Sequence, residues 1–405
     1  MKTNISSLGQ GPGLAWKRGS SSFPPGSLAE LQDWMGGATE PVEPPWHGEV
    51  TFQRWNTVGW AITDDGILCI KPWEGSTGET GPVTSYKGVP WYDIRWMINK
   101  VESTSTIVLN EDSAGLFYDC SSLYDLTALA DWNVSNVTRM DSMFSYCPSL
   151  DVLDALAEWD VSNVTNMRYM FSSCSSLHDL NALMYWNVSE VTNMGSMFYD
   201  CSSLRHLDGL RYWEVSEVTN MGSMFAGCST IDNLHGLKDW EVSQVTNMSS
   251  MFYGCSGLTD LNALRYWNVS EVTNTNGMFA GCSNLTDLKG LEDWNVSNVT
   301  NMSGMFYSCS NLTDLSALAY WNVSSVTSMS SMFQGCSSLQ RIGIPSIANG
   351  GQKLVENADD AKLTTVLPSI ISEDGSMGPY TWDDLNTEMT TNPDAFEYET
   401  VWVKA

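Results

Sequence analysis

The sequence is poor in basic residues and in histidine, and it has no long apolar run. No stretch of about 18 or more apolar residues occurs in the chain, so no segment reads as a helix able to cross a bilayer. Only 19 lysines and arginines stand against 47 acids among 405 residues, a formal charge of −28. Such a surface repels phosphate backbones and anionic headgroups, so neither nucleic acid nor a membrane is expected as a partner. The four histidines and the absence of any C-x-x-C or Cys/His ligand spacing argue against zinc. The chain lacks a G-x-S-x-G motif, a phosphate-binding loop and a paired-carboxylate context, and no nucleophile has a matching base. No enzyme activity, cofactor or metal is therefore expected. Neither end carries a visible export signal or hydrophobic anchor. The expectation is that such signals were removed or that the protein reaches an outside location by another route.

What the chain does have is repetition. Cysteines at 120, 147, 174, 201, 228, 255, 282, 309 and 336 are each 27 residues apart, as are tryptophans at 132, 159, 186, 213, 240, 267, 294 and 321. A representative copy, Cys174 to Asp200, reads CSSLHDLNALMYWNVSEVTNMGSMFYD. A period held without insertion predicts one coil of a solenoid per copy, since a unit this short cannot bury its own apolar face. The apolar letters fall about every third residue: Leu177, Leu180, Leu183, Trp186, Val188, Val191, Met194, Met197 and Phe198. That fits neither a long helix nor a long strand, but a chain that turns inward repeatedly. We expect a short strand or extended arc over LHDLNAL, a second short strand at VTNM, and one helical turn over GSMFYDCSS. The fold class expected is a leucine-rich-repeat-like solenoid, with short strands and one helical turn per coil.

Four segments are expected. Residues 1–45 form a Gly/Pro/Ser-rich arm or docking segment, with two helical turns over 27–37. Residues 46–100 form a small β-rich N-terminal cap, from strand-like EVTFQRW, VGWAITDD and ILCIKPW. Residues 101–342 form the solenoid, one degenerate and eight full coils, and 343–405 a C-terminal cap or tail. The cysteines share one phase, which predicts a ladder of buried free thiols. The Ser and Thr of W-x-V-S-x-V-T are expected to satisfy turn amides locally. The asparagines from Asn166 to Asn301 are expected to bond along the stack. Thr275, where other copies have methionine, predicts a looser spot. The recurring N-x-S/T triplets read as a turn motif.

At these letters the repeat W-N-V-S-x-V-T-N-M-x-x-M-F-x-x-C-S-S-L resembles that of BspA-like leucine-rich-repeat bacterial surface proteins, in its W-D-T-S-N-V-T-N-M-S-x-M-F form. The resemblance covers residues 116–340. The cap sequences WAITDDGILCIKPW and VPWYDIRWMINKV are similar to those preceding such repeats in surface proteins of gut bacteria. The resemblance implies a solenoid displayed outside a cell for adhesion to a protein or glycan receptor, without catalysis or cofactor. The alternative is a phage virion protein, a fibre or decoration, whose N-terminal arm tethers it to other virion proteins or to copies of itself. The location implied is extracellular, on a bacterial cell or a virion.

Within the repeat, common letters serve the stack and varying letters face solvent. Two stripes vary most. One holds Tyr124, His178, Arg205, His206 and His235. The other directly precedes the tryptophans and holds Tyr185, Arg211, Tyr212, Lys238, Arg265, Tyr266 and Tyr320, the residue types that dominate protein interfaces. This second stripe is the candidate contact patch. The histidines occupy different phases of the coil and read as solvated side chains.

Overall fold

A computed structural model describes residues 50–83, 87–398 and 400–405. The expected N-terminal arm, with its helical stretch at 27–37, lies outside the described residues.

Three strands open the described chain: β1 (Gln53–Trp55), β2 (Val58–Ile62) and β3 (Ile67–Pro72), paired antiparallel in that order. Gly66 closes the second hairpin at φ +83°, where an added Cβ would sit 2.2 Å from the Met97 carbonyl. After a 3-10 turn at Tyr92–Met97, β4 (Lys100–Ser103) joins β3 in parallel. That parallel pairing hands the sheet over to the solenoid, because Lys100 in turn bridges Asp125 one coil further on. Trp91 sits wholly buried at this junction, edge-on to Trp55 and Trp60 and stacked on Phe117 at 6.3 Å.

From there each coil lies on the next with a 27-residue offset. Single parallel bridges join Asn166, Asn193, Asn220, Asn247, Asn274 and Asn301 in succession. The inward letters form columns. Nine phenylalanines, from Phe117 to Phe333, stack face to face with centroids 5.4–5.9 Å apart. Trp159 and Trp186 stack at 6.4 Å, and Trp213, Trp240 and Trp267 continue the column. Each of these side chains removes on the order of 1.5–3 kcal/mol of apolar surface from water. Ordering the backbone offsets most of that gain, so the coils stand only as a stack.

The polar letters explain why the repeat tolerates so little change. The Trp213 indole N–H donates to the Leu183 carbonyl of the preceding coil at 2.8 Å, and the tryptophans from Trp159 to Trp321 all repeat this bond. All ten cysteines are free and buried. Eight of them are more than small apolar fillers: the thiol of Cys201, for example, donates to the Phe171 carbonyl one coil back at 3.1 Å. Asn220 and Asn247 each donate a side-chain amide to the asparagine below. The threonines depart from expectation. Instead of capping local amides, the Thr192 backbone N–H and hydroxyl both donate to the Thr165 carbonyl of the preceding coil. The local turn is held by the residue after tryptophan, as where Asn187 Oδ1 accepts from the Ser189 N–H. Asp160 and Glu241 do the same, so the N-x-S triplet needs only an acceptor oxygen.

The helical turn also lies elsewhere than expected. A 3-10 turn occupies Asn181–Leu183 and its equivalents, inside the stretch read as an arc. The GSMFYD stretch, expected to be helical, is a run of tight turns. Alternate amides there, at Met194, Ser196, Phe198 and Asp200, donate to carbonyls of the next coil. A helix would have kept those amides for itself. Two residues in this stretch, Ser196 and Asp200, take positive φ, which an α-helix does not allow.

Thr275 is wholly enclosed where Met248 and Met302 fill the neighbouring coils, and its hydroxyl donates to the Asn301 carbonyl at 3.3 Å. Thr275→Met is expected to raise stability by about 1 kcal/mol through added apolar burial. Chemical denaturation checks this; a lower midpoint would mean the coils have already closed around threonine.

Beyond the last repeat the backbone closes over the stack. A second sheet is ordered β5 (Asp314–Leu315), β6 (Arg341–Ile344), β8 (Thr400–Lys404), β7 (Ile370–Ser372). Helices α1 (Gly351–Glu356), α2 (Leu363–Val366) and α3 (Trp382–Thr391) accompany it, the last with a capping box from Thr381 and Asp384. The exposed ladder of the final coil finds partners here: the Ser331 and Phe333 amides donate to the Asp360 and Ala361 carbonyls. Trp402, wholly buried, stacks on Phe396. An open solenoid end would expose a full cross-section of core and a row of unpaired amides, and this segment covers both.

Candidate functional site

The residue before each tryptophan is forced outward by its neighbours. In the coil from Cys174 the 3-10 turn sends Leu183 inward, Trp186 is buried three residues later, and Tyr185 between them is left 82 % exposed. The next coil places Tyr212 over Tyr185, rings stacked at 6.0 Å and nearly parallel. Arg211 lies 6.0 Å from the Tyr212 ring. Beside the two tyrosines lies a shallow groove of about 320 Å³, lined also by Met184, Trp186, Asn187, Val188, Ser189 and Glu214.

The other four members of the stripe are not continuous with this cluster. Asp239 and Asp293 occupy the column between tyrosines, so Tyr266 and Tyr320 each stand singly. Lys238 pairs with Asp239 at 3.6 Å and Arg265 with Asp293 at 3.1 Å. Hydrogen bonding to Asp293 raises the Arg265 pKa further. Arg211 has no carboxylate partner among the described residues, which leaves it the one cation of the stripe open to an outside anion. The structure thus concentrates the sequence pattern into Tyr185, Arg211 and Tyr212.

The other varying stripe forms no site. His178, His206 and His235 are exposed on successive coils, and Arg205 is bound to Asp232 at 3.0 Å. Among the described residues no group of three or more His, Cys, Asp or Glu side chains could hold a metal ion. No helix among them is long and apolar enough to cross a membrane.

A second surface was not visible in the sequence. Tyr118, Tyr146, Tyr169 and Tyr199 line a groove of about 500 Å³ on the first four coils, alongside the buried phenylalanine stack. They stand at three different positions of the repeat, so aligning the coils by column scatters them. Only the folding of the Met-Phe corner brings them together.

The equal coils, the buried columns of leucine, tryptophan and phenylalanine, and the four-stranded sheet at either end define a leucine-rich-repeat-like solenoid with the BspA-like repeat. The chain belongs to the family described as "Mycoplasma protein of unknown function, DUF285", whose model matches residues 111–234, 178–287 and 230–345. Solved structures similar over 72 % of this chain include a leucine-rich repeat protein from Eubacterium ventriosum, at 16 % identity, 84 % of that chain covered and a TM-score of 0.33. A leucine rich cell surface protein from Faecalibacterium prausnitzii matches at 14 % identity over 94 % of its length, TM-score 0.24. A leucine-rich repeat protein from Bacteroides ovatus matches at 16 % identity over 92 % of its length, TM-score 0.24. No curated protein matches the chain.

Proposed function

We propose that this protein is a non-enzymatic recognition module that adheres to a protein receptor through the Tyr185–Arg211–Tyr212 cluster, displayed at an outer surface. The observation that carries the reading is an unpaired guanidinium beside two stacked, exposed tyrosines on a surface whose net charge is −28. Tyrosine and arginine supply contact area at low entropic cost and dominate interface hot spots. The coil lattice beneath them is rigid, so the cluster is preorganised and little ordering opposes binding. A protein receptor suits the site because an acidic side chain can pair with Arg211 while apolar side chains enter the groove. The resemblance of the repeat to that of BspA-like surface proteins supports display at a surface.

The test uses beads coated with the full chain and intact animal or bacterial cells, before and after protease treatment of the cells. Bead binding is expected and protease is expected to abolish it. Arg211→Glu with Tyr212→Ala should weaken binding at least about tenfold, the loss of roughly 1.4 kcal/mol or more expected of a hot spot. Circular dichroism should not change, since neither side chain contributes to the core. Unaltered adhesion of this variant would discard the cluster. Reversing Lys238 and Arg265 should have a smaller effect, because each already has a carboxylate partner.

A further inference from the structure

We propose that the tyrosine groove on the first four coils is a separate binding site for a neutral oligosaccharide, sharing no residue with the receptor cluster. The first observation is where two of its tyrosines stand. In every coil the residue before the second methionine, or its equivalent, and the residue before the cysteine take left-handed backbone, with φ between +54° and +85°. Gly227 and Gly254 fill the second position in later coils, and serine or aspartate fills most others. Tyr169 stands at the first position with φ +59° and Tyr146 at the second with φ +61°. A bulky side chain is disfavoured there, and the adjoining coils stack equally well with Ser173 and Ser196. Nothing in the core requires these two rings, so their use lies outside it.

The second observation is a set of hydroxyls on largely enclosed serines that face the groove. Ser145, Ser172 and Ser196 line the same groove and are only 2 %, 3 % and 7 % exposed. Their hydroxyls form no hydrogen bond with any described residue. Their oxygens stay open to the groove, so a ligand hydroxyl can take the place of water on them. Rings alternating with unpaired hydroxyls suit a pyranose, which has an apolar C–H face and a rim of hydroxyls. The coils rise by roughly 4.8 Å, close to the length of one sugar ring, so successive tyrosines can meet successive sugars.

Charge selects a neutral chain. No lysine or arginine lines the groove, and Asp119 and Asp200 edge a second hollow on the other side of Tyr146. Arg168, next to the groove in sequence, is engaged by Tyr169: its guanidinium lies 4.5 Å from the ring and donates to the phenol oxygen at 2.9 Å. The groove stops at the fifth coil, where Ala226 and Gly227 stand in place of tyrosine, and Tyr253 and Tyr307 lie singly beyond that gap.

Affinity electrophoresis of the full chain in gels containing soluble neutral polysaccharides (hydroxyethylcellulose, galactomannan, xylan) or anionic ones (alginate, hyaluronate) tests the proposal. Retardation by at least one neutral polymer is expected, and none by the anionic ones. Tyr146→Gly with Tyr169→Gly should lower that affinity at least tenfold while the melting temperature holds or rises, because glycine suits both backbones. Tyr199→Ala, at a position of ordinary φ, should also weaken binding. Tyr212→Ala should leave it unchanged, which separates this site from the receptor cluster. The proposal is overturned if no neutral polymer retards the protein, if anionic polymers alone do, if the double glycine variant binds as before, or if these substitutions abolish only protein adhesion.

Discussion

Raised from neutral pH into the alkaline range, the protein is expected to unfold over a narrow interval above pH 9. Burial pushes the thiols of Cys174, Cys282 and Cys336 up from 9.0 to about 12, and it raises those of Cys147, Cys201, Cys228 and Cys255 as well. In the unfolded chain the same thiols ionise near their ordinary value. Below that value both states hold the proton and the buried thiols contribute their full stability. Above it only the unfolded state releases protons, so stability falls as pH rises, until the native thiols ionise in turn. The loss is about 1.4 kcal/mol per pH unit for each thiol. Three such thiols remove roughly 4 kcal/mol per unit, against a total stability on the order of 5–15 kcal/mol for a folded domain. The ladder turns a modest property of one cysteine into a cooperative one. Circular dichroism followed against pH, together with thiolate absorbance, measures it, and the two signals should change together. Replacing Cys174, Cys201 and Cys228 with alanine should move the midpoint upward in pH, once each variant is compared with its own stability at neutral pH. Thiolates that appear gradually with the spectrum intact would show that the core opens locally to hydroxide instead.

The repeat made the stacking legible, because a fixed 27-residue period and its inward letters define which residues lie above which. The phenylalanine and tryptophan columns and the buried thiols follow from that register alone. The direction of each backbone amide does not. Whether Met194 and Phe198 bond within their coil or to the next depends on which carbonyls the stack brings near, so a stretch read as helical became alternating turns. The role of threonine was hidden for the same reason, since its partner lies 27 residues away. Surface sites divide along the same line. Tyr185 and Tyr212 share one repeat position and were visible as a column, although the acids that separate them from Tyr266 acquire meaning only in space. Tyr118, Tyr146 and Tyr169 occupy different positions, and a corner that folds back on itself gathers them. The positive φ at Tyr146 and Tyr169 had no signature in the letters, because the same position accepts serine, aspartate and glycine in other coils.

Phe225→Ala is expected to divide one unfolding transition into two. The ring is wholly buried between Phe198 at 5.7 Å and Phe252 at 5.8 Å, so its removal leaves a cavity lined by rings that cannot move together without breaking their own stacks. Truncation at such a site costs about 3–5 kcal/mol. In a globular domain that loss would be shared by the whole core and would lower a single melting temperature. A solenoid is held by contacts between neighbours, so the loss falls on the two interfaces flanking one coil. The coils before it remain joined to the N-terminal sheet, and those after it to the sheet formed by β5, β6, β8 and β7. Each block keeps one covered end and gains one weak end, and each should melt at its own temperature. Calorimetry should show two peaks for Phe225→Ala and one for the parent, with faster amide exchange concentrated around residues 198–252. Phe333→Ala removes an equally buried ring at the end of the column and should shift the transition without splitting it, because among the described residues only one ring, Phe306, stacks on it. If Phe225→Ala gave one peak at a lower temperature, coupling between coils would have to reach further than nearest neighbours. The rigidity assumed for both surface sites would then extend along the whole stack.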